Sequence, residues 1–543
     1  MSFLETAEER ALSPEEQAAI DSAWVRDTGL DSLILMETAA NALYREILAR
    51  PLLKRIVILL GFGNNSGDGW ALARLLANSQ FSLELVEIYP EKPLSRDCQA
   101  MREAALKLGL KSQSLADFLV AESERQKLGL DYQACLFVDA IFGSGFKISR
   151  PLGPEFKPLR DLLLKAREAG AELLAVDSPS GLDSTSGLAD PLSLKADCTV
   201  SFLAPKRALL TDAGSPYAGE IAVADLGMPR AWYLACLEDF KSEYKSYYSS
   251  PRLAAELLPR AEPNIHKGSS KKLMITAGAP GLAGAALLAA RAALAAGSAY
   301  TYLQAADEHL AEALESYPEL LLKPLNPGNL TEWEEALAEI PVHLIGPGVG
   351  TSLTREFLLR AIQQAEDLLL DADALNLIAR EPELKKALAA RQNRQSSRSK
   401  SGAKLRPAVL TPHPGEFKRL FPDLAERWPW LAAAQAAEEL KSIIVYKSHR
   451  TIVALPDRRI IFNQSGNKAL AKAGSGDSLA GILAAFLARG LEPAEAAVLA
   501  VYCHGRAADL AALEEHWLGL RIPLLITDYL DPVFRELEEI SKS

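Results

Sequence analysis

Cysteine is scarce and scattered in this 543-residue chain: Cys98, Cys135, Cys198, Cys236 and Cys503 are odd in number and form no C-x-x-C pair. Neither a disulfide framework nor a zinc site is suggested, which fits mostly buried thiols in a reducing compartment. The start, MSFLETAEERALSPEEQ, lacks a basic segment followed by an apolar one, and the longest apolar run, GAALLAARAALAAGSAY, is broken by Arg291. Neither a secretory signal nor a membrane span is expected, and the expected location is the cytoplasm. Positive charge is outweighed, with 59 Lys+Arg against 70 Asp+Glu and a net charge of -11. That balance argues against a general affinity for nucleic acid or anionic lipid. No Walker A sequence occurs.

Apolar material is plentiful at 49% hydrophobic residues, and the length exceeds what one core accommodates, so two domains are expected. LSPEEQAAIDSAW opens a helical stretch over 13 to 50, with Ser13, Pro14 and two acids at its start. Short apolar runs then alternate with helical stretches: RIVILL, LELVEIY, ACLFVDAIFG, ELLAVDSPSG and EIAVADLG. The alternation predicts an α/β fold with a parallel sheet and helices on its faces. It lapses over 228 to 265, where no clear buried strand is read, and the boundary is placed there, giving domains 1–235 and 236–543. A second series follows in KKLMITAG, VHLIGPGVG, DLLLDADALNLI, PAVLTPHPGEF and IIVYKSHRTIVAL. Within it RQNRQSSRSKSGAKLR, residues 391 to 406, reads as a mobile, solvated surface loop.

In AGSGDSLAGILAAFLARG the residues Leu479, Ile482, Leu483, Phe486 and Leu487 recur at helical spacing, so Asp477 falls in the first turn behind Gly474 and Gly476. A helix mouth of this kind favours an anion, and glycines let a phosphate approach the backbone. Asp477 reads either as a base beside that phosphate or as a simple N-cap. TAGAPGLAGAA, IGPGVG, DADALN and LTPHPGE also follow strands, where ligands gather in open α/β sheets. Singly each is weak: His413 fits a turn, and Asp371 and Asp373 fit caps of ALNLIA.

Together, HKG (266 to 268), AGAPGLAGAALLAARAALAAGSAY, GPGVG, DADALN, LTPHPGE and AGSGDSLAGILAAFLARG resemble the carbohydrate-kinase-like NAD(P)H-hydrate dehydratase family over about residues 250 to 535. The resemblance implies a ribokinase-like α/β domain. It also implies that ADP, with magnesium, phosphorylates the C6 hydroxyl of S-NAD(P)HX and that loss of phosphate restores NAD(P)H, leaving AMP. Carried over, Asp477 is the base; Ala285, Gly348, His413 and Asp477 contact the hydrate; Lys447, Ser448, His449, Arg450, Thr451 and Gly476 hold the adenylate part. Two departures stand out: Ser448, His449 and Arg450 where the family has glycine after the lysine, and Ser475 in place of threonine.

RIVILLGFGNNSGDGWALARLL is a strand, a glycine turn and a helix. Gly61, Gly63 and Gly67 miss the dinucleotide fingerprint by one residue, and Asn64 rules out a nucleophile elbow around Ser66. Asn64, Asn65 and Asp68 exceed what a turn needs, and Asp139, Asp177 and Ser180 end two further strands. Such hard oxygen donors suit a cation or a polar ligand, while caps and Asx-turns account for any one of them. LMETAANAL, GFGNNSGDGWALARLL, DAIFGSGF, AVDSPSGLD, ADCTVSFLAPK and GEIAVADLGMP resemble the NAD(P)H-hydrate epimerase domain, the YjeF N-terminal domain, over about residues 10 to 235. The resemblance implies a Rossmann-like three-layer domain that interconverts R- and S-NAD(P)HX. In it Asn64, Asn65, Ser66, Gly67 and Asp68, with Gly143, Ser144, Gly145, Phe146, Lys147 and Asp177, grip the substrate. Asn65, Asp139 and Ser180 bind potassium. Ser66 stands where the family has glycine, so a positive φ there would carry strain; Lys92 is a further candidate.

The fusion is expected to act as a bifunctional repair enzyme on NAD(P)HX and ADP, as a homo-oligomer, without nucleic acid or membrane partners. A vitamin-type kinase and a non-catalytic binding scaffold are the rival readings.

Overall fold

A computed structural model describes residues 9–127, 132–260, 270–305, 317–324, 330–391, 404–514, 516 and 522–542. It separates into two compact units, Arg10–Glu243 and Tyr244–Ser543, with Glu9 grouping with the latter. The expected division after residue 235 would fall inside the helix Arg230–Asp239, whose Leu237 is buried in the core of the first unit.

The first unit is built on β1 (Arg55–Leu60), β2 (Ser82–Glu87), β3 (Ser112–Ser114), β4 (Cys135–Ala140), β5 (Glu172–Val176), β6 (Cys198–Phe202) and β7 (Glu220–Ala224). Their spatial order is β3-β2-β1-β4-β5-β6-β7, with every pair parallel. Because side chains alternate along a strand, Ile56, Ile58 and Leu60 enter one core while Val57 and Leu59 enter the core on the opposite face. The sheet is therefore the middle of three layers. One outer layer contains α1 (Pro14–Thr28), α2 (Ser32–Leu48) and α3 (Asn64–Leu76). A capping box starts α1, the Glu16 N–H donating to Ser13 Oγ at 3.1 Å and the Ser13 N–H to Glu16 Oε2 at 2.8 Å; Gly29 ends it with φ 71°. The strand order reverses between β1 and β4, which opens a crevice at their carboxyl ends.

The second unit carries β8 (Lys245–Tyr248), β9 (Leu273–Thr276), β10 (Thr301–Ala305), β11 (Leu321–Pro324), β12 (Val342–Ile345), β13 (Asp367–Leu370), β14 (Val409–Leu410), β15 (Ile443–Tyr446), β16 (Ile452–Ala454) and β17 (Arg459–Phe462). They run in the order β8-β17-β16-β15-β14-β13-β12-β9-β10-β11, antiparallel only where β16 meets β15 and β17. Here the order reverses between β9 and β12. Strand β8 corrects the expectation that 228 to 265 holds no buried strand: KSYY is short and half polar, yet Ser246 and Tyr247 are buried.

Apolar helices α4 (Ala283–Ala295) and α5 (Ser475–Ala488) pack tightly, since a Cβ at Gly481 would lie 2.1 Å from the Ala289 carbonyl oxygen. Helix α6 (Pro493–Glu514) is long and apolar enough to cross a membrane by length and composition, but 72% of its apolar window is buried in this unit. Core packing accounts for its composition. The expected loop 391 to 406 is anchored at both ends, and its residues 392 to 403 lie outside the described residues. Arg391 is buried, its Nε donating to the Arg406 carbonyl oxygen at 2.9 Å, and Arg406 pairs with Asp367. Those two arginines are structural rather than solvated.

Candidate active sites

In the first unit a cavity of about 880 Å³ occupies the crevice. Asn64, Asn65 and Asp68 reach it from α3, residues 143 to 147 line it after β4, and Asp177 enters from the end of β5. Lys92 also lines it, and the rings of Phe62, Tyr89 and Phe142 meet edge-to-face or tilted along one wall with centroids 5.8 to 6.0 Å apart. Ser66 and Gly67 are not in the lining. Ser66 is buried within α3 in helical conformation, so the strain of a positive φ does not arise. Gly67 answers a packing need instead, since a Cβ there would lie 2.5 Å from Met36 Cε.

Beneath the cavity Asp139 is fully buried at the end of β4. Its carboxylate accepts from Ser180 Oγ at 2.6 Å, from the Ser180 N–H at 2.8 Å and from the Ile141 N–H at 3.3 Å, and burial pushes it up to about 6. Asn65 Oδ1 lies against Gly143, where a Cβ would come within 2.7 Å, and Asn65 Nδ2 is buried without a partner. Asp139 and Ser180 are thus in direct contact, and Asn65 stands beside the same turn, whose Phe142 N–H donates to Ser180 Oγ at 2.9 Å.

Asp177 has φ 62°, a left-handed conformation that aspartate tolerates better than most residues. Its Oδ1 lies 2.6 Å from Lys206 Nζ, a fully buried ammonium that also donates to Ser201 Oγ and the Phe202 carbonyl oxygen, both at 3.1 Å. Asp21, from α1, lines the same cavity. Sequence reasoning missed both Asp21 and Lys206. For Asp21 a signal existed: Gln17, Ile20, Asp21 and Trp24 follow the i, i+3, i+4, i+7 stripe that α1 turns inward, and an acid on such a stripe needs a reason.

In the second unit the carboxyl ends of β13, β14 and β15 supply Asp371, Thr411 and Lys447. Lys447 Nζ and Thr411 Oγ1 each donate to Asp371 Oδ1 at 2.7 Å. Ala372, next in the chain, is held at φ 48°, a strained backbone of the kind that gathers at functional sites. Neither aspartate caps ALNLIA: Asp371 pairs with Lys447, and Asp373 Oδ2 accepts from the Gly350 N–H at 2.8 Å.

Asp477 resolves the same question at α5. The N-cap is Gly474, in the left-handed region at φ 88°, and no side chain caps this helix. Asp477 stands in the first turn with its carboxyl pushed up to about 6 by burial and by Asp371, while Lys447 opposes the rise. Lys447 is itself held above its usual range by Asp371, against its burial. A Cβ at Gly476 would lie 3.3 Å from Lys447 Nζ, so the glycine keeps space beside the ammonium. His504, pushed down to about 4 by burial and therefore neutral, donates Nε2–H to the Ser475 carbonyl oxygen at 2.9 Å and fixes the loop.

The other singled-out residues are placed as follows. Gly348, at φ 56°, meets Ala285 across the β9/β12 crevice, where a Cβ would stand 3.1 Å from that of Ala285. His413 caps the helix Pro414–Leu420, its Nδ1 accepting from the Gly415 and Glu416 N–H groups at 3.0 and 3.4 Å, which leaves only Nε2 for a ligand. Ser448 and Thr451 close the turn after β15 through Ser448 Oγ to the Arg450 carbonyl oxygen, 2.9 Å, and Thr451 Oγ1 to the Ser448 carbonyl oxygen, 3.3 Å. Arg450 donates to the Gln464 carbonyl oxygen at 3.1 Å, and His449 is exposed.

Carboxylates and glycine turns at strand ends, once in each of two doubly wound units, define a two-site α/β enzyme. Residues 273–530 match the family described as NAD(P)H-hydrate dehydratase, and residues 32–208 match that described as YjeF-related protein N-terminus. A bifunctional NAD(P)H-hydrate repair enzyme from Moorella thermoacetica is 32% identical over 96% of both chains. The Escherichia coli protein of the same description is 31% identical over 89% of this chain and 86% of its own. A solved ADP/ATP-dependent NAD(P)H-hydrate dehydratase from Bacillus subtilis is 27% identical, with 54% of this chain and 98% of that one covered and a TM-score of 0.44. The chain belongs to the family of bifunctional NAD(P)H-hydrate repair enzymes.

Proposed function

We propose that the first unit interconverts R- and S-NAD(P)HX and that the second dehydrates S-NAD(P)HX to NAD(P)H, converting ADP to AMP and phosphate. The observation that carries the second activity is Asp477: a carboxylate on a glycine loop, free of any capping duty and facing the Asp371–Lys447 pair. It takes the proton of the C6 hydroxyl as that oxygen attacks the β-phosphorus of ADP. Phosphoryl transfer of this kind is mostly positioning and charge neutralisation, which Lys447 and the amides opening α5 provide. Loss of phosphate with a C5 proton then restores the ring. Magnesium enters with ADP as part of the substrate. Buried, unpaired thiols support the cytoplasm as the place of action.

In the first unit the donor set fits potassium. Asn65 Oδ1, Asp139 and Ser180 Oγ are all oxygen with a single negative charge, and Asp139 is fully buried with no cationic side chain paired to it among the described residues. Those three residues would hold the ion, which would supply a counter-charge and fix the turn after β4. Asp139→Ala is expected to abolish epimerisation while leaving dehydration of the S form within about twofold, because the two sites belong to separate compact units. Equal loss of both activities in a folded variant would contradict that independence.

The test of the whole reading is recovery of reduced-nicotinamide absorbance from mixed R- and S-NADHX with ADP and magnesium, with and without potassium. Complete recovery with free phosphate is expected; a stable phosphate ester would point to a kinase, and potassium-dependent binding without turnover to a scaffold. The rate for the S form is also expected to depend on pH through Asp477. Its carboxyl is raised and acts ionised, so kcat/KM is level above about 6 and falls by about tenfold per pH unit below it.

A further inference from the structure

We propose that Asp21 and Asp68 are the acid–base pair of the first site, exchanging a proton with the C6 oxygen of the hydrated nicotinamide. The proposal rests on the epimerase reading of that site. Asp21 comes from α1, Asp68 from α3 and Asp177 from the end of β5, so three separate elements bring carboxylates to one cavity. Of the three, Asp177 is the one ion-paired, with Lys206 at 2.6 Å. Asp68 is 8% exposed and makes no hydrogen bond or ion pair among the described residues, and Asp21 Oδ1 is buried without a partner. Carboxylates buried for stability are normally bonded; these two face the cavity.

Asp177, Lys206 and Cys98 act on the pair directly, and Tyr89, Lys92, Asp97, Lys147, Arg150 and Glu155 also line the cavity; burial pushes the Cys98 thiol up to about 11, so it stays neutral. Burial, with Asp177 and Asp21 nearby, raises Asp68 well above the usual carboxylate range, and burial with Asp177 raises Asp21 to about 6 although Lys206 opposes the rise. Both carboxyls therefore hold a proton more readily than an exposed carboxylate does, so one of them can supply it to the substrate.

That proton suits inversion at C6. The protonated carboxyl gives its proton to the C6 hydroxyl, the C6–O bond breaks, water leaves and the N1 lone pair forms an N1=C6 double bond. Water then adds at the opposite face, a new C6–O bond forms, the N1 lone pair returns and the surplus proton goes back to the carboxylate. Nothing is oxidised or reduced, and water is the sole co-reactant. The transient cation is stabilised by the carboxylate that Lys206 does not neutralise.

The test uses the full chain with R-NADHX, without ADP, in water labelled with heavy oxygen, following conversion to the S form. Wild type is expected to take up one heavy oxygen per inversion. Asp21→Asn is expected to lower kcat for inversion by about 10²-fold or more with KM within about threefold, and Asp21→Glu to recover most of it. A kcat within about threefold in Asp21→Asn, or inversion without label uptake, overturns the proposal while leaving the epimerase reading intact. Absence of any inversion in wild type overturns both. Should Asp21→Asn fail to fold, Asp21→Glu and label uptake by wild type decide the matter.

Discussion

Replacing Asp477 with asparagine is expected to slow dehydration of S-NAD(P)HX by about 10² to 10⁴-fold, the usual contribution of a general base. The side chain keeps its shape and loses only its capacity to accept the hydroxyl proton. Stability is not expected to fall. Asp477 caps nothing, and burial with Asp371 and Glu416 disfavours its charge more than Lys447 favours it, so removing the charge relieves a cost. Nucleotide binding is expected to persist, since Lys447 keeps its bond to Asp371 and the Ser475 carbonyl oxygen stays tied to His504. Single-turnover measurement with S-NADHX and ADP, beside calorimetric titration of ADP, separates the two effects. Turnover within about threefold of wild type would remove Asp477 as the base.

Features that recur along the chain were legible in the sequence, and features made by distant partners were not. β1, its glycine turn and α3 follow from RIVILLGFGNNSGDGWALARLL, because an apolar run and a helical stripe are local patterns. Likewise Asp477 falls in the first turn of α5 as the spacing of Leu479, Ile482 and Leu483 requires. Strands β8, β3 and β17 were not read as strands: KSYY, SQS and RIIF are three or four residues long, and each exists because a parallel neighbour completes its hydrogen bonds or a hairpin returns it. Pairings such as Asp371 with Lys447 join residues far apart in the chain, so each was visible only as a separate candidate. Arg391 shows the opposite failure. Its polar neighbours suggested a solvated loop, yet its guanidinium satisfies backbone carbonyls left over at the ends of other elements.

Lys206→Met is expected to destabilise the Arg10–Glu243 unit by about 3 to 5 kcal/mol, a large share of the roughly 5 to 15 kcal/mol that holds a domain folded. The ammonium is fully buried, and methionine would fill much of its volume while leaving Asp177 ionised, buried and unpaired. Ser201 Oγ would lose the ammonium as donor, and the carbonyl oxygens of Phe202 and Ala204 would keep only the Ala204 N–H and Ser201 Oγ respectively. Pairing the change with Asp177→Asn is expected to restore part of the loss, since the stranded charge then disappears; the shortfall from additivity measures the pair itself. Denaturant unfolding of the single and double variants reads both quantities, with dehydration of the S form reporting whether the second unit is untouched. A loss below about 1 kcal/mol for Lys206→Met would mean that the pair is solvated, and the same result would withdraw the charge imbalance on which Asp21 and Asp68 depend.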